Sequence, residues 1–156
     1  KYGRYGWAAG NLLTFIIGQG DVLVTPIQIV QMMNIIATKG NTRSPHLYSN
    51  NSSEVMTLPL KSSTWDYLQN ATWKVINHEN GTGKAARVEG ATIHGKTGTA
   101  QNPHGEDHSW FAGYLVKDGS PVLSLVVLVE HGGKGSVAAA LISHKIFKYA
   151  QKNFSL

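Results

Sequence analysis

The chain has 156 residues, enough for about one domain, and 42% of them are hydrophobic while 15% are charged, which excludes an intrinsically disordered composition. The net charge of +5 comes from scattered lysines and arginines, which argues against a nucleic-acid-binding surface. No cysteine is present, so disulfides and thiolate metal sites are excluded. The apolar runs fall far short of the ~20 residues that a membrane-spanning helix needs.

The first part of the chain predicts one well-marked helix. Residues 1–11 are rich in glycine and aromatic residues without a period, so we expect them to be irregular. Thr25 suits an N-cap, Pro26 suits the first helical position, and Gln28 completes a capping box. We expect the helix to stop at Gly40. Its predicted core stripe consists of Ile29, Met32, Met33, Ile36 and Ala37.

A second helix is predicted further along the chain. Residues 41–48 read as extended and residues 49–53 as a polar loop. Ser62 or Ser63 can cap the helix, with Asp66 in its first turn. Its predicted core residues are Trp65, Leu68, Thr72, Trp73, Val75 and Ile76.

The C-terminal half predicts three strands and a final helix. A glycine-rich loop over residues 78–90 leads into strands over 91–101, 108–116 and 121–130, the last strongly apolar and buried on both faces if helices cover both. Short turns join these strands, the second at Asp118-Gly119, and imply antiparallel pairing with helices against the sheet, an α+β fold. Ser136 is predicted to cap the last helix, whose core stripe would be Val137, Ala138, Leu141, Ile142, Ile146, Tyr149 and Ala150.

The segment Lys96-Thr97-Gly98-Thr99 in the first of these strands is suited to holding an anion. Lys96 supplies a compact positive charge. Thr97 and Thr99 are two residues apart, so both hydroxyls project from one face of an extended backbone. Gly98 leaves room for a ligand or another backbone to come close. This set matches the chemistry of a carboxylate.

Lys-Thr-Gly is one of three signature motifs of penicillin-binding proteins and class A β-lactamases. The string from Gly95 to Tyr114 resembles the third-motif region of class B penicillin-binding proteins, most of all the elongation-type transpeptidases. Gly18-Gln19-Gly20 and Asn80-Gly81-Thr82-Gly83 resemble two further segments of that family, in the family's order. The resemblance implies a partial penicillin-binding transpeptidase or serine β-lactamase-like fold.

The resemblance also implies that the nucleophile lies elsewhere. The family's serine and its lysine form Ser-x-x-Lys, and none of the eleven lysines here has a serine three positions earlier. Ser49-Asn50-Asn51 matches the second motif, Ser-x-Asn, but it follows Gly18-Gln19-Gly20 instead of preceding it, so we interpret it as a loop. We therefore expect residues 1–156 to be the C-terminal half of a transpeptidase domain that is inactive alone.

By the same resemblance, each site residue has an expected role in a D,D-transpeptidase. Lys96 would set the positive field, Thr97 and Thr99 would bind the terminal carboxylate of a D-Ala-D-Ala stem peptide or a β-lactam, and Gly98 would keep the strand surface open. The Thr99 backbone N–H would be one oxyanion-hole donor. No cofactor is implied. The implied location is the periplasmic face of the inner membrane, with a membrane glycosyltransferase as partner, and an uncovered sheet edge makes a homodimer plausible.

The sequence leaves alternatives open both for the class of protein and for a metal site. A β-lactamase or a β-lactam sensor would share the Lys-Thr-Gly strand, and a non-catalytic binding module would need to bury its core alone. His104, Glu106, Asp107 and His108 contain the nitrogen and oxygen ligands of a metal site, although we favour a structural or groove role. We expect His94 to be packed or exposed and not catalytic, and Trp110 and Phe111 to be core residues or a groove wall.

Overall fold

The computed structural model describes Gly6 and residues 9–20, 22–47 and 54–153. The predicted Ser49-Asn50-Asn51 loop lies outside the described residues, as do Tyr2, Tyr5 and Trp7. The elements run in the order α1 (Ala9–Ile16), α2 (Pro26–Ala37), β1 (Asn41–Arg43), β2 (Val55–Thr57), α3 (Ser62–Asn77), a 3₁₀ turn (Lys84–Ala86), β3 (Thr92–Ala100), β4 (His108–Lys117), β5 (Ser120–Val129) and α4 (Ala138–Asn153).

The central sheet has the order β3-β4-β5, with both pairs antiparallel. In β3, Lys96 pairs with Ala112 of β4, and Thr99 pairs with Ser109. The hairpin between β4 and β5 turns at Asp118 and Gly119, which have φ of 51° and 79°. The predicted α+β fold with an antiparallel sheet is therefore confirmed. A second, two-stranded antiparallel sheet pairs β1 with β2.

Helices cover both faces of the central sheet. On one face, α2 packs against β4 and β5 through a core that contains Met33 and Tyr114. On the other face, α4 packs against the same strands through Phe111 and Phe147. Most of β5 is only half-buried, because it is an outer strand in the part of the chain that the structure describes. Side chains alternate along β3, so its odd-numbered residues share the α4 face with Ile93.

Helix α2 begins as the sequence predicts. The Gln28 backbone N–H donates to Thr25 Oγ1 at 3.4 Å, and the Thr25 backbone N–H donates to Gln28 Oε1 at 2.8 Å, which completes a capping box. The helix ends at Ala37, and Gly40 has φ of 89° in the turn that follows. One core prediction is wrong, because Met32 is 44% exposed whereas Met33 is buried.

Helix α3 forms where predicted but begins differently. Lys61 occupies the N-cap position and makes no side-chain capping bond, so neither Ser62 nor Ser63 caps the helix and Asp66 falls beyond its first turn. Trp65 is buried as predicted, whereas Trp73 is 40% exposed, so its predicted place in the core is wrong. Polar contacts also hold α3 against β3. They join Asn77 to the Ile93 carbonyl and the Gln69 carbonyl to His94.

Helix α4 corrects two predictions. It begins at Ala138, and its early backbone N–H at Ala139 donates to Ser109 Oγ of β4 at 3.0 Å, so the predicted cap Ser136 is not the partner. Its buried face is made of small residues and one phenylalanine, which lets the helix lie close to the sheet. That face consists of Ala139, Ala140, Ser143, Phe147 and Ala150. Of the predicted core stripe, five residues are exposed: Val137, Leu141, Ile142, Ile146 and Tyr149.

The N-terminal segment is also more regular than predicted. Residues 9–11 belong to α1, where irregular structure was expected, and Thr14 Oγ1 donates to the Gly10 carbonyl at 2.9 Å. The apolar run that follows is largely exposed, with Leu13 at 69% and Ile17 at 75%. No helix among the described residues is long and apolar enough to cross a membrane.

Candidate active site

The outer edge of β3 is divided into a covered half and an open half. In the covered half, Asn77 of α3 donates through Nδ2 to the Ile93 carbonyl at 3.1 Å. In the open half, the Thr97 carbonyl accepts from Lys96 Nζ and the Thr99 carbonyl accepts from Gln19 Nε2. Because the N–H and C=O of one strand residue point to the same side, the N–H groups of Thr97 and Thr99 also point away from β4. Among the described residues, the open half therefore presents main-chain donors that no other group pairs.

The four predicted site residues meet at one cleft of about 800 Å³. Lys96 and Gly98 belong to the strand face covered by α2, while Thr97 and Thr99 belong to the α4 face. All four nevertheless line the same cleft, with α2 and the Gly18-Gln19-Gly20 segment opposite them. The hydroxyls of Thr97 and Thr99 share one face of β3, as predicted. Lys96 enters the same cleft from the opposite face of the strand.

Lys96 is held by its own strand. Its ammonium Nζ donates to the carbonyl of Thr97 at 2.5 Å, while its side chain remains exposed. This contact places the positive charge beside the open main-chain edge. An anion in the cleft would therefore meet a cation and two backbone N–H groups within one short segment.

Thr97 is buried, with 8% of its surface exposed, and its hydroxyl contacts another hydroxyl. Thr97 Oγ1 and Thr82 Oγ1 are 2.9 Å apart, and either atom can be the donor. Thr82 lies in the Gly81-Thr82-Gly83 loop, which the family resemblance singled out without indicating this contact. The loop therefore reaches the site through one side chain.

Thr99 is fixed on both its main chain and its side chain. Gln19 Nε2 donates to its carbonyl at 3.0 Å, and the Gly135 backbone N–H donates to its Oγ1 at 3.1 Å. The sequence reasoning did not identify Gly135, because the Gly132-Gly133-Lys134-Gly135 run reads only as a loop. No pattern of composition or spacing relates that loop to a strand 36 residues earlier.

His94 is packed and not aimed at the cleft. Its ring stacks on Tyr114 with centroids 4.6 Å apart, and Nδ1 lies 2.9 Å from the Gln69 carbonyl of α3. Burial lowers the pKa of the His94 imidazole, and the bond to Gln69 partly opposes that shift. Burial likewise raises the pKa of the Tyr114 phenol. These rings join β3, β4 and α3 behind Lys96.

Phe111 is fully buried, and Trp110 lines the cleft, as expected for packing and a groove wall.

The His104-to-His108 string forms a turn tied to the end of β5. The His131 backbone N–H donates to His108 Nδ1 at 3.0 Å, and the rings of His108 and His131 meet edge to face at 5.0 Å. Asp107 Oδ1 accepts from the Asn102 backbone N–H at 3.4 Å. Within the described part of the chain, no three histidine, aspartate or glutamate side chains are grouped to hold a metal ion.

Solved structures of penicillin-binding proteins share this fold. The penicillin-binding protein PBP2 of Helicobacter pylori superposes with a TM-score of 0.79 at 32% identity, over 97% of this chain and 29% of that one. PBP2 of Pseudomonas aeruginosa, solved in complex with WCK 5153, gives a TM-score of 0.76 at 27% identity, over 96% of this chain and 34% of that one. The fold and the cleft thus define a penicillin-binding protein domain.

The sequence comparisons agree with the structural ones. The family model for the penicillin-binding protein transpeptidase domain matches residues 3–148. The chain belongs to this transpeptidase family. It is 30% identical over 170 residues to the peptidoglycan D,D-transpeptidase MrdA of Haemophilus influenzae, covering 92% of this chain and 26% of that protein. The MrdA of Acinetobacter baumannii is 28% identical, with 92% and 25% covered. The chain spans about a quarter of the length of these relatives.

Proposed function

We propose that this chain is part of a peptidoglycan D,D-transpeptidase, which cross-links stem peptides by serine acyl transfer and is acylated by β-lactams. The observation that carries the proposal is the open half of the β3 edge. There Lys96, Thr97 and Thr99 line one cleft, with the main-chain groups of both threonines turned toward it. MrdA, which is similar over most of this chain, is named for that reaction.

In this proposal the cleft binds the D-Ala-D-Ala end of a stem peptide. The hydroxyls of Thr97 and Thr99 donate to the terminal carboxylate, and the Lys96 ammonium supplies the opposing charge. Gly98 leaves the strand surface open between them. A β-lactam occupies the same place through its own carboxylate. These hydrogen bonds orient the scissile carbonyl along β3 for attack.

The reaction divides into two acyl transfers. A serine outside this chain attacks the penultimate D-Ala carbonyl, its proton is taken by a base, and the terminal D-Ala leaves with a proton on its nitrogen. An amine of a second stem peptide then attacks the ester and releases the serine. The Thr99 backbone N–H stabilises the oxyanion in both steps, together with the serine's own N–H. Loss of one such donor typically costs ~10² to 10³ in rate.

The proposal assigns residues 1–156 to the C-terminal half of the transpeptidase domain. No lysine in the chain has a serine three positions before it, so the Ser-x-x-Lys nucleophile motif is absent from this sequence. The exposed side chains of α1 and of α4 support the same assignment, because they offer apolar surface for the other half to cover. The chain by itself is then a substrate-binding wall without a nucleophile.

The proposal extends to location and partners. The full-length protein would act at the periplasmic face of the inner membrane, where stem peptides occur, beside a membrane glycosyltransferase that supplies the glycan strand. A homodimer of this chain through an uncovered sheet edge is a separate proposal, which sedimentation of the purified chain would test.

Labelling with a fluorescent penicillin tests the function. The full-length protein should form a covalent adduct, Lys96→Met should reduce labelling at least tenfold, and residues 1–156 alone should not label. Adduct on the isolated chain would contradict the assignment of the nucleophile to another segment. Rapid nitrocefin turnover by the full-length protein would instead indicate a β-lactamase.

A further inference from the structure

The Gly81-Thr82-Gly83 loop is pressed against the end of α3. The Gly83 backbone N–H donates to the Val75 carbonyl at 2.8 Å, and the Gly81 N–H donates to the His78 carbonyl at 3.0 Å. A Cβ at Gly81 would lie 2.4 Å from the Val75 carbonyl oxygen, and one at Gly83 would lie 2.7 Å from the Ile76 side chain. The collision at Gly81 is with backbone, so that glycine is required by the close approach, whereas at Gly83 the buried Ile76 side chain would have to shift. The residue between them is therefore held in one place.

That residue, Thr82, is exposed and directs its hydroxyl at Thr97. Among the described residues, Thr82 Oγ1 is the one hydrogen-bond partner of Thr97 Oγ1, at 2.9 Å. A hydroxyl has a single proton, so Thr97 can donate either to Thr82 or to a ligand. If Thr82 accepts, Thr97 presents only lone pairs to the cleft, and lone pairs repel a carboxylate.

We propose that Thr82 is a positioning residue whose hydroxyl donates a hydrogen bond to Thr97 Oγ1. The O–H of Thr97 is then directed at the ligand carboxylate. The resulting chain runs from Thr82 O–H to Thr97 O–H to the carboxylate, and each hydrogen bond polarises the next. The inference rests on the proposed function, because it needs the carboxylate in the cleft. Thr99 has no such choice of direction, since its partner, the Gly135 N–H, can only donate.

The test uses the full-length protein and two probes, benzylpenicillin and its methyl ester, with the second-order acylation rate constant measured by competition against fluorescent penicillin. Thr82→Val keeps the side-chain shape and removes the hydroxyl. It leaves the Thr97 proton in place and removes only the polarisation by Thr82, so it should lower the rate constant for the acid about two- to fivefold and that for the ester less than about 1.5-fold. Thr82→Ser should restore the wild-type ratio of acid to ester.

A matched control is Thr92→Val. This change removes an exposed hydroxyl at the start of β3, the strand that contains Thr97, but outside the cleft. Its ratio of acid to ester should equal that of the wild type. Equal losses for acid and ester in Thr82→Val, or no loss in either, would overturn the inference while leaving the proposed function intact. Wild-type protein that is acylated by neither probe would overturn the proposed function itself.

Discussion

The Gly135 backbone N–H donates to Thr99 Oγ1 at 3.1 Å, and this bond joins the loop before α4 to the cleft edge of β3. Because the amide can only donate, it occupies a lone pair of the hydroxyl and leaves the Thr99 proton available to a ligand. The approach is close: a Cβ at Gly135 would lie 2.0 Å from the Gly98 carbonyl oxygen and 2.6 Å from that of Trp110. The loop therefore bears directly on the backbone of both strands.

We expect Gly135→Ala to damage both folding and the cleft. The added methyl group would collide with two strand carbonyls that cannot rotate away, so the free energy of unfolding should fall by about 2–4 kcal/mol. Movement of the loop would also withdraw the N–H from Thr99. Urea denaturation of the full-length protein, together with penicillin acylation, measures both effects.

Gly119→Ala serves as the control for this substitution. Gly119 has φ of 79° at the hairpin tip, and nothing lies within 4 Å of an added Cβ. The alanine there should cost only about 1 kcal/mol of backbone strain, with acylation unchanged. Equal stability losses at the two positions would show that the predicted collision at Gly135 does not occur.

Removal of the Thr99 hydroxyl should weaken carboxylate binding directly. Thr99→Val retains the shape of the side chain, so we expect the acylation rate constant for benzylpenicillin to fall about 10- to 100-fold, as for a lost hydrogen bond to a charged group. Thr99→Ser should stay within about threefold of the wild type. Stopped-flow acylation measures the change, and a Val variant as fast as wild type would exclude Thr99 from carboxylate binding.

The start of α4 offers a test of two competing caps. Ser109 is fully buried, donates to the Lys134 carbonyl at 3.0 Å and accepts from the Ala139 N–H at 3.0 Å. Ser109→Ala leaves the Ala139 N–H without its partner, whereas the Lys134 carbonyl still accepts from the Val137 N–H at 3.0 Å, so we expect a loss of about 1–2 kcal/mol in the free energy of unfolding. Ser136→Ala, at the cap predicted from sequence, should change it by less than about 0.5 kcal/mol. A larger effect at Ser136 would reverse the assignment.

The half-buried His94 should make stability depend on pH. Its folded-state pKa is lowered by burial from 6.5, so the unfolded chain binds the proton more readily. Stability from this group is therefore complete above pH 6.5 and falls as the pH drops from 6.5 toward the lowered pKa. His94→Phe keeps a ring against Tyr114 and removes the titration. Its unfolding free energy should vary less than that of the wild type as the pH falls below 6.5, and an identical pH slope would refute the role of His94.

Local signals predicted the elements well where the chemistry is local. The capping box of Thr25 and Gln28 lies within four residues and is confirmed. The burial of α4 was predicted wrongly because both sides of that helix are apolar. Periodicity cannot choose between Leu141 and Ala140, whereas packing distance from the sheet selects the smaller residue.

The candidate site was predictable in its residues but not in its contacts. The Lys-Thr-Gly-Thr string can be found by resemblance, and all four of its residues line the cleft. The partners Thr82 and Gly135 lie 15 and 36 residues from the hydroxyls that they contact. Such pairs depend on how loops pack over the sheet, and no short sequence pattern encodes that packing.

The bond between Lys96 Nζ and the carbonyl of Thr97 has a further consequence for any anion that enters the cleft. A lysine free in solvent must lose up to about 2 kcal/mol of rotamer entropy when it engages a ligand. Here that ordering accompanies folding, so the ammonium is immobilised before the encounter. Binding of the anion then requires little rearrangement of Lys96. The choice between anions depends on the geometry of Thr97 and Thr99 and not on the conformation of a mobile lysine.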